Sequence, residues 1–386
     1  MRLRRLPAVL AAAIALTMAA AAPAAAGTRE VLLVGNNWDG TVDAIDPATF
    51  ERLARINVVP DLAQRLAEMS PDEYAAYLAN RELAGEGHDQ LVDDVRVSPD
   101  GTVLYVTRPS LGDVAAFDLP AGTLRWRTEV SGLRSDHMAM SPDGTRLAVS
   151  ATTANVVDLI DTADGSIVGG FTTGDFPHEN QYSEDGELIY NGSIGRVVAP
   201  DLELLDAAKG NRWLTVADAD TLEVERVYDL GRGVRPFVIM PGGRTMYVQL
   251  SFLHGLVEYD LVQGREVRTL HLPLSPEAQA MRRDEYPLDS AHHGLAISGD
   301  HAKLCDAGTV SDYAAIVDRV TLTVDRIVPV GDKPYWATSS GDGRLCFLAN
   351  SDSDDVSVVT YRRPREIARI PVGDHPQRMR MAEVAF

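Results

Sequence analysis

Histidines and carboxylates recur at one position of a repeated pattern in this chain. Each stands four or five residues before a tight-turn motif, or at the start of the last strand-like segment. The residues at this position include His137, His178, Glu179, His293, Asp94 and His375. Neutral imidazoles and carboxylates are ligands of divalent transition metals, and an imidazole–carboxylate pair can also provide a general base or acid. The pattern therefore predicts a metal site or an acid–base site, provided that the fold brings these positions together.

Cationic and aromatic residues occupy the same position in other copies of the pattern. Arg235 and Arg378 would hold an anionic group such as a carboxylate, because a guanidinium pairs with it through two hydrogen bonds. The candidates for catalysis are His137, His178, Glu179 and His293. The candidates for ligand binding are Asp94, Arg235, Tyr335, Trp336, His375 and Arg378, and those for metal binding are His137, His178, His293 and His375. A further interpretation is that these side chains fill a wet channel and satisfy one another.

The turn motif that defines this position recurs along the chain. S-P-D-G begins at Ser98 and Ser141, and S-E-D-G begins at Ser183, so these copies are 43 and 42 residues apart. Weaker copies begin at Met240, Ser298 and Ser340. Each motif joins two short apolar runs and two more runs follow, which indicates four strands per unit. Seven units predict an all-β fold, a seven-bladed β-propeller of four-stranded antiparallel blades, with equivalent positions meeting at the top of the central channel.

The wording of the units resembles a known family. The motifs G-D-x-P, S-P-D-G, L-Y-V and V-x-x-I-D are similar to those of the YVTN-repeat, YncE-like family of exported seven-bladed propellers. The resemblance covers nearly all of the chain after residue 26. It does not select an activity, because the fold hosts binding proteins, lactonases, lyases and electron-transfer proteins. We expect a single propeller domain over residues 27–386, in which the final segment, 376–384, completes blade one and hides its edge.

Three insertions interrupt the repeat, at about residues 61–91, 192–212 and 274–290. In an up-and-down blade all three fall in loops on the top face. The first insertion contains a capping box, Ser70 with Glu73, ahead of a helical pattern. Their common face predicts a lid or binding rim, with helices, above the channel.

The first 26 residues are typical of an export signal. Arg2, Arg4 and Arg5 precede an apolar stretch over residues 7–20, and an A-x-A cleavage site ends at Ala26. We therefore expect an exported protein, secreted or in the periplasm or cell envelope. No later segment has the roughly 20 apolar residues of a membrane helix, so no transmembrane segment is expected after signal removal.

The two cysteines are expected to be free thiols. Cys305 and Cys346 are placed at the same position in the second strands of adjacent blades. Packed sheets lie about 10 Å apart, whereas a disulfide needs Cα atoms within about 7 Å. Two buried, unpaired thiols follow from this placement.

Charge and the polar ring together limit the function. The formal net charge of −20 repels phosphate backbones, which excludes nucleic acid as a partner. We expect an exported propeller that binds a small anionic ligand, or a partner protein, at the top of its channel. The alternative is a channel-mouth enzyme, lactonase-like, lyase-like or metal-dependent, that uses the ring of His, Glu and Asp. In the metal-dependent case the cofactor would be a divalent transition metal.

Overall fold

A computed structural model describes residues 27–197 and 203–385, and the predicted export signal, residues 1–26, lies outside this part. Within it the chain forms seven four-stranded antiparallel sheets, which confirms the predicted all-β propeller. The innermost strands contact one another in a closed ring. The first three strands in the described residues belong to blade one: β1 (Thr28–Asn36), β2 (Thr41–Ile45) and β3 (Arg52–Asn57).

The next three blades follow in chain order, each built from its innermost to its outermost strand. Blade two contains β4 (Val95–Val97), β5 (Val103–Arg108), β6 (Asp113–Asp118) and β7 (Thr123–Glu129). Blade three contains β8 (Ser135–Met140), β9 (Arg146–Ala151), β10 (Val156–Asp161) and β11 (Ile167–Thr172). Blade four contains β12 (Pro177–Tyr182), β13 (Leu188–Ser193), β14 (Trp213–Asp218) and β15 (Val224–Asp229).

The last three blades have the same order, and the final strand returns to blade one. Blade five contains β16 (Val234–Ile239), β17 (Thr245–Leu250), β18 (Gly255–Asp260) and β19 (Arg265–His271). Blade six contains β20 (Leu295–Ile297), β21 (Lys303–Gly308), β22 (Tyr313–Asp318) and β23 (Thr323–Pro329). Blade seven contains β24 (Pro334–Ser339), β25 (Leu345–Asn350), β26 (Asp355–Thr360) and β27 (Glu366–Pro371). The closing strand β28 (Pro376–Ala385) pairs antiparallel with β1, so the two ends of the described chain share one sheet.

The S-P-D-G turns fix where each inner hairpin reverses. In blade two the Ser98 hydroxyl accepts a hydrogen bond from the Val103 backbone N–H at 2.9 Å, and the Asp100 carboxylate accepts one from Thr102 N–H at 3.1 Å. Gly101 adopts a φ of +76°, a conformation that glycine enters without steric cost. Because the motif satisfies its own backbone, every copy places the preceding strand at the same height around the ring.

The insertions carry the helices. The first one forms α1 (Leu62–Glu68) and α2 (Pro71–Leu83), and the third forms α3 (Pro276–Ala280). The predicted capping box is present at the start of α2, where the Glu73 carboxylate accepts from the Ser70 N–H at 2.7 Å. None of the helices in the described residues is long and apolar enough to cross a bilayer.

The two cysteines form a disulfide, so the prediction of free thiols is wrong. Their Cα atoms are 6.5 Å apart, within the span of a disulfide. Each turn ends in a backbone hydrogen bond to the first residue of the second strand, which is Lys303 in β21 and Leu345 in β25. Cys305 is the third residue of β21, whereas Cys346 is the second residue of β25. Because side chains alternate between the faces of a sheet, this one-residue offset turns the two thiols toward each other between blades six and seven.

Candidate functional site

Three histidines meet where the innermost strands begin. His137 lies in β8, His178 in β12, and His293 just before β20. Their exposed fractions are 0, 5 and 0%, and one ring nitrogen from each lies within 4.8 Å of the others. Three separate blades therefore bring three imidazoles to one buried point.

Bulges at the start of the inner strands turn two successive residues to the channel. In β8 the pairing register shifts between Ser135 and Met138, and in β12 it shifts between Pro177 and Asn180. A bulge adds an unpaired residue and re-aims the side chains beside it. The residues between those limits, Asp136 with His137 and His178 with Glu179, are consequently buried and in contact with one another.

Each of the three imidazoles is held through its Nδ1 atom. The Nδ1 of His137 contacts the Glu179 carboxylate, and that of His178 lies 3.0 Å from Asp136 Oδ1. The Nδ1 of His293 lies 3.0 Å from the backbone carbonyl oxygen of Tyr335. When Glu179 and Asp136 are ionised, all three partners are acceptors, so in the neutral rings the proton lies on Nδ1 and the lone pair on Nε2.

One nitrogen from each ring lies within 4.8 Å of the others. The Nε2 atoms of His178 and His293 are 3.0 Å apart, and the Nε2 of His137 lies 3.5 Å from Asp136 Oδ1 without a hydrogen-bond partner among the described residues. Burial holds the pKa of His178 to about 4, and burial together with Arg378 keeps the pKa values of His137 and His293 well below the ordinary value. At neutral pH the cluster therefore presents lone pairs rather than protons, which is the form that binds a metal.

Of the three carboxyl groups beside the histidines, two have raised pKa values and one has a lowered pKa. Burial raises the pKa of Asp93 well above its ordinary value and raises that of Glu179 to about 7. Burial also acts on Asp136, but the neighbouring His178 outweighs it and lowers the pKa of Asp136. Asp136 is therefore the ionised acceptor, and it fixes the orientation of His178.

Two arginines are almost fully buried in the same place. Arg378 is 2% exposed, and its Nη1 lies 3.4 Å from Asp93 Oδ1 while its guanidinium lies 5.0 Å above the Trp336 ring. Its Nε atom has no hydrogen-bond acceptor in the part of the chain that the structure describes. Arg235 is 1% exposed and donates to the Ser251 hydroxyl at 3.1 Å.

A cavity of about 190 Å³ lies between these groups and helix α2. Its charged floor contains Asp93, Asp136, His178, Arg235, Tyr335 and Arg378. Its apolar wall contains Ala76, Ala79 and Leu83 of α2 with Leu133, Phe176, Ile194, Val197 and Leu288. All three insertions contribute to this wall, so the cavity is lined by both charged and apolar side chains.

Other predicted residues lie around this centre. Asp94 pairs with Arg380 through two hydrogen bonds of 2.9 and 2.7 Å. The Tyr335 ring stacks on His293 with centroids 4.3 Å apart. The guanidinium of Arg380, which pairs with Asp94, also lies 4.7 Å from the centroid of the Trp336 ring. These residues position the cluster, and of them only Tyr335 lines the cavity beneath α2.

The structure places His375 away from the three histidines. Its ring stacks on Trp38, with centroids 3.7 Å apart, and the His88 ring stacks on Trp38 as well, at 3.9 Å. His375 comes directly before the proline that begins its strand, whereas His178 comes directly after the equivalent proline. That two-residue difference moves the imidazole out of the channel.

The neighbouring residues His292 and His293 also lie in different surroundings. The Nδ1 of His292 faces Asp306 in the next strand, while His293 joins the cluster. Sequence reasoning did not single out Asp136, although it stands five residues before its turn, as His178 and His293 do. That shared distance was the sign that could have identified it.

No family model matches the chain, and no curated protein matches it. A solved chain of the Kuenenia stuttgartiensis hydrazine synthase is similar with a TM-score of 0.62 and 18% identity, over 83% of this chain and 89% of that one. The dihydro-heme d1 dehydrogenase NirN, solved in complex with DHE, is similar with a TM-score of 0.59 and 13% identity, over 91% of this chain and 74% of that one. At such low identity the likeness supports the propeller fold alone.

Proposed function

We propose that this protein is an exported propeller of the YncE-like kind that binds a small anionic ligand in the cavity at the top of its channel. The observation that carries the proposal is the pair of buried arginines in the cavity floor, Arg235 and Arg378. A buried guanidinium is costly unless acceptors surround it. The Nε of Arg378 lacks an acceptor among the described residues, and a carboxylate of a bound ligand would supply one.

The opposite wall of the cavity defines the rest of the ligand. Side chains of α2 and of the two other insertions present an apolar surface above the arginines. An apolar cavity of roughly 150 Å³ admits benzene, so a space of about 190 Å³ fits a carboxylic acid with one ring or a short aliphatic chain. Benzoate and hexanoate are therefore suitable probes.

A second candidate function is a channel-mouth enzyme. His178 lines the cavity, and its Nδ1 is oriented by Asp136 at 3.0 Å. An imidazole held in this way can act as a general base, as lactonase-like or lyase-like chemistry requires. Conversion of a bound acid or ester, followed by NMR, would favour this candidate over simple binding.

The compartment and the class of partner belong to the same proposal. The Cys305–Cys346 disulfide supports export, because such bonds are characteristic of oxidising compartments. The formal net charge of −20 supports a small molecule or a protein as the partner at the top face, and it argues against nucleic acid.

We expect Arg378→Gln to weaken benzoate binding in isothermal titration calorimetry. A hydrogen bond to a charged group contributes about 1.5–3 kcal/mol, which corresponds to a loss of about ten- to a hundredfold in affinity. Arg326→Gln is the matched control, because Arg326 is exposed on the outermost strand β23. Equal affinity of the Arg378 variant and the wild type, or no binding of either probe by the wild type, would contradict the proposal.

A further inference from the structure

We propose that His137, His178 and His293 bind one divalent transition-metal ion, with an open coordination position toward the cavity. This inference goes beyond anion binding and does not depend on it. It rests on the placement of three imidazoles from three blades, whose ring nitrogens lie within 4.8 Å of one another.

The orientation of the rings is the first argument. A histidine that binds a metal commonly donates its other ring N–H to a carboxylate or a backbone carbonyl, which fixes the ring. Here the acceptors of the Nδ1 protons are Glu179 for His137, Asp136 for His178 and the Tyr335 carbonyl for His293. Three separate outer partners therefore fix the three rings, and one nitrogen of each ring lies within 4.8 Å of the others.

The distance between two of these atoms is the second argument. The Nε2 atoms of His178 and His293 are 3.0 Å apart, and each carries a lone pair when the proton of its ring is on Nδ1. Two lone pairs at that distance repel each other, and a metal ion or a shared proton between them removes the repulsion. Metal–nitrogen bonds of about 2.0–2.1 Å at an angle near 90–110° place the two nitrogens about 3 Å apart, which agrees with the observed separation.

A shared proton would be the other way to join these nitrogens. Arg378 and Arg235 are buried and line the same cavity as His178, so their guanidinium charges disfavour an imidazolium there. The same guanidinium groups also repel a metal ion, and the coordinate bonds, together with the carboxylates of Asp136 and Glu179 in the outer shell, offset that repulsion. The buried Nε2 of His137, which has no hydrogen-bond partner among the described residues and lies 3.5 Å from Asp136 Oδ1, offers the third ligand atom.

The open position follows from the shape of the site. Three protein ligands leave at least one position of a tetrahedral ion free, as in catalytic zinc sites. Of the three histidines only His178 borders the cavity beneath α2. An incoming small molecule would therefore reach the ion on the side where Asp136 and Arg378 also face the cavity. A set of imidazole ligands suits Zn, Cu, Fe and Ni.

Equilibrium dialysis of the purified, chelator-treated protein against Zn²⁺, followed by elemental analysis, tests the proposal. We expect one zinc ion per chain in the wild type and none above the buffer level in His178→Ala/His293→Ala. His271→Ala, an exposed histidine at the end of β19, is the matched control and should retain the zinc. His375→Ala should retain it too, because that ring belongs to the separate stack on Trp38.

A second variant keeps the test decisive if the double variant does not fold. Asp136→Asn leaves the three ligands in place and removes one outer carboxylate, so zinc affinity should fall by about ten- to a hundredfold. Absence of zinc from the wild type, or unchanged zinc binding in both site variants, would overturn the proposal. Benzoate titration of the same metal-free samples reports on anion binding separately, so failure of one proposal is distinguishable from failure of the other.

Discussion

Arg108→Met should lower the free energy of unfolding by about 3 kcal/mol. Arg108 is fully buried and donates to Asp113 at 2.7 and 2.8 Å and to Asp61 at 2.7 Å. Methionine keeps much of the volume but leaves two buried carboxylates without their common partner. The expected loss is at the lower end for a broken buried ion pair, because Arg127 remains 2.8 Å from Asp61 and Arg65 remains 3.6 Å from Asp113.

The matched control is an exposed pair of the same chemistry in the same blade. Arg125 and Asp118 are 2.6 Å apart, with side chains 41 and 43% exposed. Arg125→Met should cost less than about 1 kcal/mol, since water screens exposed ion pairs. Urea denaturation followed by circular dichroism measures both variants. Equal stability losses would show that burial of the Arg108 network does not have the importance assigned to it.

Removing helix α2 should leave the propeller folded and reduce benzoate affinity by at least about tenfold, which corresponds to about 1.4 kcal/mol. The variant replaces residues 70–88 with a flexible Gly/Ser linker. It retains α1 and Asp61, which belong to the buried Arg108 network. The apolar wall formed by Ala76, Ala79 and Leu83 is lost, so water reaches the arginines and screens them.

A pair of point variants on α2 controls for the deletion. Ala75 and Ala79 are both exposed on α2, but of the two only Ala79 lines the cavity. Ala79→Asp places a negative charge beside the bound anion and should weaken benzoate binding, while Ala75→Asp should not. If the deletion variant binds benzoate as tightly as the wild type, α2 is not a lid over the ligand. Unfolding of the deletion variant would show that the helix is a structural plug.

The repeat in the sequence was sufficient to predict the fold and the height of the site. The turns recur 42 or 43 residues apart where no insertion intervenes, and in the copies that begin with serine this side chain satisfies the turn backbone, as Ser98 does beside Asp100. Because equivalent residues of a propeller lie at one level, the distance to the turn placed His137, His178 and His293 near one another. The same rule wrongly placed His375 with these histidines. His375 comes directly before the proline that begins its strand, whereas His178 comes directly after the equivalent proline.

The remaining details depend on single-residue shifts that a repeat does not specify. A bulge in β8 and another in β12 let successive residues share the channel, whereas simple alternation would allow only one of each pair. A one-residue offset likewise decides that Cys305 and Cys346 face each other. The period of the repeat determines which blade a residue belongs to, but the pairing register of the strand determines the direction in which its side chain points.

The most direct test of the account is a crystal structure of the protein with bound benzoate. We expect density for one benzoate in the cavity beneath α2, with its carboxylate accepting hydrogen bonds from Arg378 and its ring against Ala79 and Leu83. Density for benzoate at another surface, or an unliganded cavity in crystals grown at saturating benzoate, would contradict the assignment of this cavity as the ligand site.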